Sequence, residues 1–144
     1  MLLELIATLS SGLFTGASVY INLVEHPARM QCGTALAVTE FAPSYRRAAV
    51  MQAALAALGF ICATAVWLCG SPWQWLLGGL LLGAVIPFTL LVIFPTNKQL
   101  LDPGLDKNSQ LAAQLLTRWG HLHAVRSVLS FASFVIFLWL IGGD

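Results

Sequence analysis

Charge is what this 144-residue chain has least of. Asp, Glu, Lys and Arg make up 9% of it, against about a quarter of an average soluble domain. The seven basic residues are spread over two short segments and form no groove-sized patch, which excludes a nucleic-acid partner. Cysteine is sparse too: Cys32, Cys62 and Cys69 show no C-x-x-C spacing, so no disulfide framework is expected and Cys62 reads as a small hydrophobe. There is no glycine loop to cradle a phosphate and no nucleophile elbow, so neither nucleotide binding nor serine-type catalysis has support. No H-x-x-x-H or E-x-x-H pair marks a helix-borne metal site, and no metal is expected. The ten-residue alternation of a membrane β-barrel is absent as well.

What the chain has is apolar sequence. Hydrophobic residues reach 58% and gather in four stretches, roughly Leu5–Val24, Ala48–Cys69, Trp73–Phe94 and Leu122–Ile141. About 20 residues at 1.5 Å each cross the ~30 Å hydrocarbon layer. The expected fold is therefore all-α: an integral membrane four-helix bundle in which residues 1–144 form a single domain. Arg29, Arg46, Arg47, Lys98, Lys107 and Arg118 fall in the first-to-second and third-to-fourth connections, and Arg126 in the first turns of the fourth stretch. The amino terminus, the Gly70-Ser71-Pro72 turn and the Gly142-Gly143-Asp144 tail hold no Lys or Arg. Basic loops stay in the cytoplasm, so both termini are expected to be non-cytoplasmic. The first stretch carries Glu4 in place of a basic leader and is interrupted at Ser10-Ser11-Gly12. It is read as a retained span rather than a cleaved signal.

Within the spans, polar residues keep helical spacing. Thr8, Ser11, Thr15, Ser18, Asn22 and Glu25 form one stripe down the first helix. Trp119, His123, Arg126, Ser130 and Ser133 share a face of the fourth, whereas His121 points roughly 200° away from His123. The segment 27–44 is expected to be a partly helical loop that returns through Ala42-Pro43-Ser44. Pro87 is expected to bend the third span. A helical segment is expected from about Ser109, lying along the interface and feeding into the fourth span. An arginine inside a span costs a few kcal/mol without a partner, and Glu25, at the same level as Arg126, is the expected one.

Alternating spans bring the end of the first, the start of the second, the end of the third and the start of the fourth together. Asn22, Glu25, His26, Tyr45, Arg46, Gln52, Asn97, His123 and Arg126 are thus expected around one pocket open to the cytoplasm. Phe88, Phe94 and Trp119 are available to contact a flat hydrophobic ligand. A mostly apolar cavity with a few convergent polar groups is the default ligand site. For Arg46, Arg47 and Lys98 a plain anchoring role in the headgroup layer is preferred.

Three passages carry a resemblance: Gly12–Arg29 (GLFTGASVYINLVEHPAR), Ile86–Leu100 with Pro95-Thr96-Asn97-x-x-Leu100, and Trp119-x-x-x-His123-x-x-Arg126. Together they resemble the DUF1772 family of small four-span membrane proteins, which includes the fungal anthrone oxygenases. That resemblance implies oxidation of a tricyclic anthrone to an anthraquinone without a flavin or haem motif, and the cofactor is otherwise unknown. The matching positions are Tyr20, His26 and Pro27, then Pro95, Thr96 and Asn97, then Trp119, His123 and Arg126. It implies His123 or His26 as general base, with Arg126 and Asn97 as oxyanion stabilisers; together with the pocket residues this gives Asn22, Glu25, Tyr20, Trp119 and Phe88 as the expected substrate-binding residues. The implied partners are a hydrophobic small molecule and the lipid bilayer of a bacterial inner (plasma) membrane. Two other classes compete with this oxygenase or oxidase reading. One is a non-enzymatic binding or transport protein, a homo-oligomer if two copies must form a path. The other is a haem- or metal-binding membrane protein.

Overall fold

Four long helices account for most of the chain, and the computed structural model describes residues 1–143. They are α1 (Leu2–Gln31), α2 (Thr34–Leu68), α3 (Gln74–Leu100) and α4 (Gln110–Gly142), each long and apolar enough to cross a membrane. No strand occurs among the described residues. In ring order, α1 packs on α2 and α4, and α3 on α2 and α4, so that α1 faces α3 across the bundle. At 1.5 Å per residue the 35 residues of α2 reach about 52 Å, well past the ~30 Å of a hydrocarbon core. The excess lies at the end that carries the basic connections.

Two prolines that should end helices do not. A π-helical turn at Ile21–Glu25 precedes His26-Pro27, and another at Thr89–Ile93 precedes Phe94-Pro95. A proline ring collides with the carbonyl one turn back and offers no N–H to it. The wider π turn relaxes that collision, and the helix continues, to Gln31 in α1 and to Leu100 in α3. Pro43 lies inside α2, which runs unbroken from Thr34, so the loop expected over 27–44 is almost wholly helix around a short turn at Gly33. Pro87 acts as expected by interrupting α3 near Ala84. The helical segment expected from about Ser109 runs directly into the fourth span as the first part of α4, capped where the Ser109 hydroxyl accepts from the Ala112 N–H at 3.1 Å.

Packing falls into three apolar layers. Ala7, Cys62, Val66, Trp75 and Phe137 form one end. Phe14, Ala56, Leu82 and Val85 form the middle. Ile21, Phe41, Ile93, Leu116 and Trp119 close the basic end. Glycines bring the helices close in the first two layers. A Cβ on Gly59 of α2 would lie 2.5 Å from Leu82 Cδ2, and one on Gly79 of α3 would lie 3.0 Å from the Ala63 Cβ. Past Ala84 that tight α2–α3 contact is lost, and the helices part.

Candidate functional site

The parting of α2 and α3 leaves a cavity of about 160 Å³ between the middle layer and the basic-end layer. Ala48, Ala49, Gln52 and Ala53 line it from α2, and Val85, Ile86, Thr89 and Leu90 from α3. Trp119, His123 and Arg126 of α4 form its floor, and Ile21 and Arg29 of α1 reach it from behind. Small residues on one wall and the helix interruption at Ala84 on the other make this space.

The polar groups beneath it are tightly organised. His123 is 1% exposed, and its Nδ1 lies 2.7 Å from Asn22 Oδ1. The Asn22 amide nitrogen donates to the Gly120 carbonyl at 3.0 Å, and its oxygen also accepts from the Ser127 hydroxyl at 2.6 Å. These partners fix the amide orientation, so the Nδ1 side of neutral His123 must carry the proton. Its Nε2 is left as a lone pair with no protein partner. Arg126, three residues on, donates from Nη2 to Gln52 Oε1 at 2.7 Å and lies over the Phe14 ring at 5.3 Å. The expected pairing of Arg126 with Glu25 does not occur. Glu25 instead lies nearer the basic end, where it binds Arg29 and accepts from the Ser44 hydroxyl.

Trp119 forms the centre of the aromatic cap. Its ring stacks on His123 at 4.7 Å, meets Phe41 edge-on at 5.2 Å and touches His26 at 5.2 Å. Phe41 in turn stacks on Tyr45 at 5.6 Å. The Arg29 guanidinium stands 5.7 Å from the Trp119 centroid and pairs with Glu40 at 2.9 Å as well as with Glu25. Arg29, expected within the first basic connection, is instead turned inward by the helix that continues through Pro27.

The expected site residues divide into three groups. Trp119, His123, Arg126, Tyr45 and Gln52 line the cavity. Asn22, Glu25 and His26 stand behind it, His26 buried so tightly that a Cβ on Gly120 would lie 2.7 Å from its Nε2. Asn97 is also buried away from the lining, and neither its amide nitrogen nor its amide oxygen has a protein partner. Phe88 is half-buried against the basic-end layer, off the cavity. Tyr20, Phe94 and Arg46 point outward, Tyr20 with 54% of its surface exposed. Tyr20 is two residues from the Ser18–Asn22 stripe and therefore on the opposite face of α1.

The hydroxyl stripe does not line a pore. Ser11 bonds to Ser133, Ser133 donates to the Gly78 carbonyl, and Ser18 pairs with Ser127 at 2.8 Å. These bonds tie α1 to α4 and α4 to α3, as hydroxyls do between packed membrane helices. Among the described residues no three His, Cys, Asp or Glu side chains gather closely enough to hold a metal.

Comparison with known proteins gives one finding. The sequence model of the family described as Anthrone oxygenase matches residues 41–136, two thirds of the chain. No curated protein and no solved structure matched.

Proposed function

The chain belongs to the anthrone oxygenase family, and on that premise we propose that it is an integral membrane oxygenase acting on a flat, hydrophobic phenol or anthrone. The substrate binds in the cavity between α2 and α3. The basic connections face the cytoplasm, both termini face the other side, and the host membrane is a bacterial inner membrane. The observation that carries this reading is the His123 ring, its Nδ1 engaged by Asn22 while the ring lines the same cavity as Arg126.

A general base must present an unprotonated nitrogen to an acidic C–H or O–H. His123 Nε2 removes a proton from the methylene of an anthrone, and the negative charge spreads to the ring carbonyl oxygen. Arg126, oriented by Gln52, stabilises that oxyanion in a site from which water is largely excluded. The electron-rich anion reduces O₂ by one electron, and recombination forms a C–O bond to a hydroperoxide. Loss of the second methylene proton with cleavage of the O–O bond leaves a carbonyl and releases water. One O₂ is consumed per anthrone: one oxygen atom stays in the quinone and the other leaves as water. His26 wedges Trp119 in place, and Asn97 orders water behind the site.

The experiment is oxygen uptake coupled to anthraquinone absorbance, with purified protein in lipid vesicles. Wild-type protein oxidises an anthrone, and His123→Gln slows it by about 10²–10⁴-fold, the usual contribution of a general base. An unaltered rate in His123→Gln would remove the histidine from the chemistry.

A further inference from the structure

The cavity is closed on two sides and open on one. Every lining residue of α1 and α4 is buried, whereas each exposed or half-exposed one belongs to α2 or α3. Ala53 and Leu90 are exposed, Leu90 to 61%, and Ala49 and Ile86 are partly so. All four belong to the apolar stretches 48–69 and 73–94, inside the hydrocarbon layer by the reading above. Towards the basic end the buried Phe41 and Trp119 rings stand across the cavity, Trp119 against the paired Arg29, with the half-exposed Tyr45 stacked on Phe41. Away from that end, Gly59 and Gly79 bring α2 and α3 into contact and close the gap.

We infer that the slot framed by Ala49, Ala53, Ile86 and Leu90 is a lateral portal through which a planar, uncharged aromatic molecule dissolved in the bilayer reaches His123. This inference rests on the proposed membrane placement and substrate class. The chemistry of the slot fits such a passenger. Its rim is alanine, leucine and isoleucine, so a charged or strongly hydrated molecule would have to shed water without replacement. Two alanines one turn apart leave a flat-walled gap, which admits a ring plane edgewise and excludes a bulky saturated framework. The polar groups lining the cavity are Gln52 and Thr89 on the walls and Arg126 and His123 in the floor, so a carbonyl carried inward finds donors in the unpartnered Gln52 amide nitrogen and the Arg126 guanidinium. Ala49 and Ala53 are thereby specificity-determining residues, because their size sets the width of the entrance.

The portal is tested by phenylalanine substitution on two faces of α2 that are one residue, or about 100°, apart. Ala49→Phe and Ala53→Phe narrow the slot. Val50→Phe and Ala54→Phe place the same bulk on exposed neighbours outside the lining. With the protein in phosphatidylcholine vesicles, anthraquinone is mixed in and its binding followed by quenching of tryptophan fluorescence, with Trp119 in the cavity floor. The expected result is an association rate about tenfold or more slower in the two slot variants and unchanged in the two neighbours. Equal association rates in all four variants and wild type would overturn the portal, as would a wild-type protein that anthraquinone does not quench. If anthraquinone enters by this route but anthrone is not oxidised, the portal stands and the proposed reaction falls.

Discussion

Replacing Asn22 with alanine should separate catalysis from folding. The side chain makes three hydrogen bonds, accepting from His123 Nδ1 at 2.7 Å and from the Ser127 hydroxyl at 2.6 Å and donating to the Gly120 carbonyl at 3.0 Å. Hydrogen bonds between packed membrane helices average about 0.6 kcal/mol, so losing all three costs about 2 kcal/mol. A bundle held by three apolar layers tolerates that loss. The imidazole does not, because nothing then holds the proton on Nδ1. Both tautomers become populated, the ring is free to turn, and the fraction presenting a bare Nε2 falls. Activity in Asn22→Ala should drop by at least about tenfold, bounded above by the ~10²–10⁴-fold effect of losing the base itself. Two assays are needed on the same preparation. Thermal unfolding in detergent should show a small decrease, and ¹⁵N spectra of labelled histidine should show the protonated Nδ1 of wild type replaced by exchange between the two nitrogens. Full activity with a ring still protonated at Nδ1 would refute the reasoning.

Other perturbations follow from single contacts. Gly120→Ala places a methyl 2.7 Å from His26 Nε2, and since His26 is held against Trp119 the overpacking should cost about 1–3 kcal/mol, read as a lowered Tm. Arg29→Met leaves Glu25 and Glu40 without their cation and loosens the aromatic cap. Stability should fall by about 1–3 kcal/mol, with a further rise in KM for anthrone that Lys98→Met, on an exposed site, does not produce. Cys32 and Cys69 are exposed at opposite ends of the bundle and Cys62 is buried. A membrane-impermeant maleimide should therefore label Cys32 in inside-out vesicles and Cys69 in right-side-out vesicles. The reverse pattern would invert the proposed topology.

Helix-scale periodicity made part of the site legible. The spacing of Trp119, His123 and Arg126 put them on one face, and the two-residue offset that turns His121 to the exterior is seen in the structure. The stripe from Thr8 to Glu25 likewise faces inward. What sequence spacing conveys is the level of a residue along its helix and its angle around it. It does not convey how one helix is rotated against the next. Nor does it fix the register between helices: Glu25, expected opposite Arg126, binds Arg29 and Ser44 nearer the basic end, and Gln52 of α2 is the group within 2.7 Å of Arg126. The π turns were a second source of error. Each lies just ahead of a proline and carries its helix past it, and the one in the first helix brings Arg29 against Trp119 within what was expected to be a partly helical loop. Phe88 and Phe94 lie around such a turn, and their facing could not be obtained from a uniform 3.6-residue repeat.

The most direct measurement is an experimental structure of the protein with anthraquinone bound. The proposed function requires one quinone oxygen within about 2.7–3.2 Å of an Arg126 guanidinium nitrogen, with the ring plane between the alanines of α2 and Ile86 and Leu90 of α3. Anthraquinone seated on the outer surface, or among the basic connections away from His123, would contradict it.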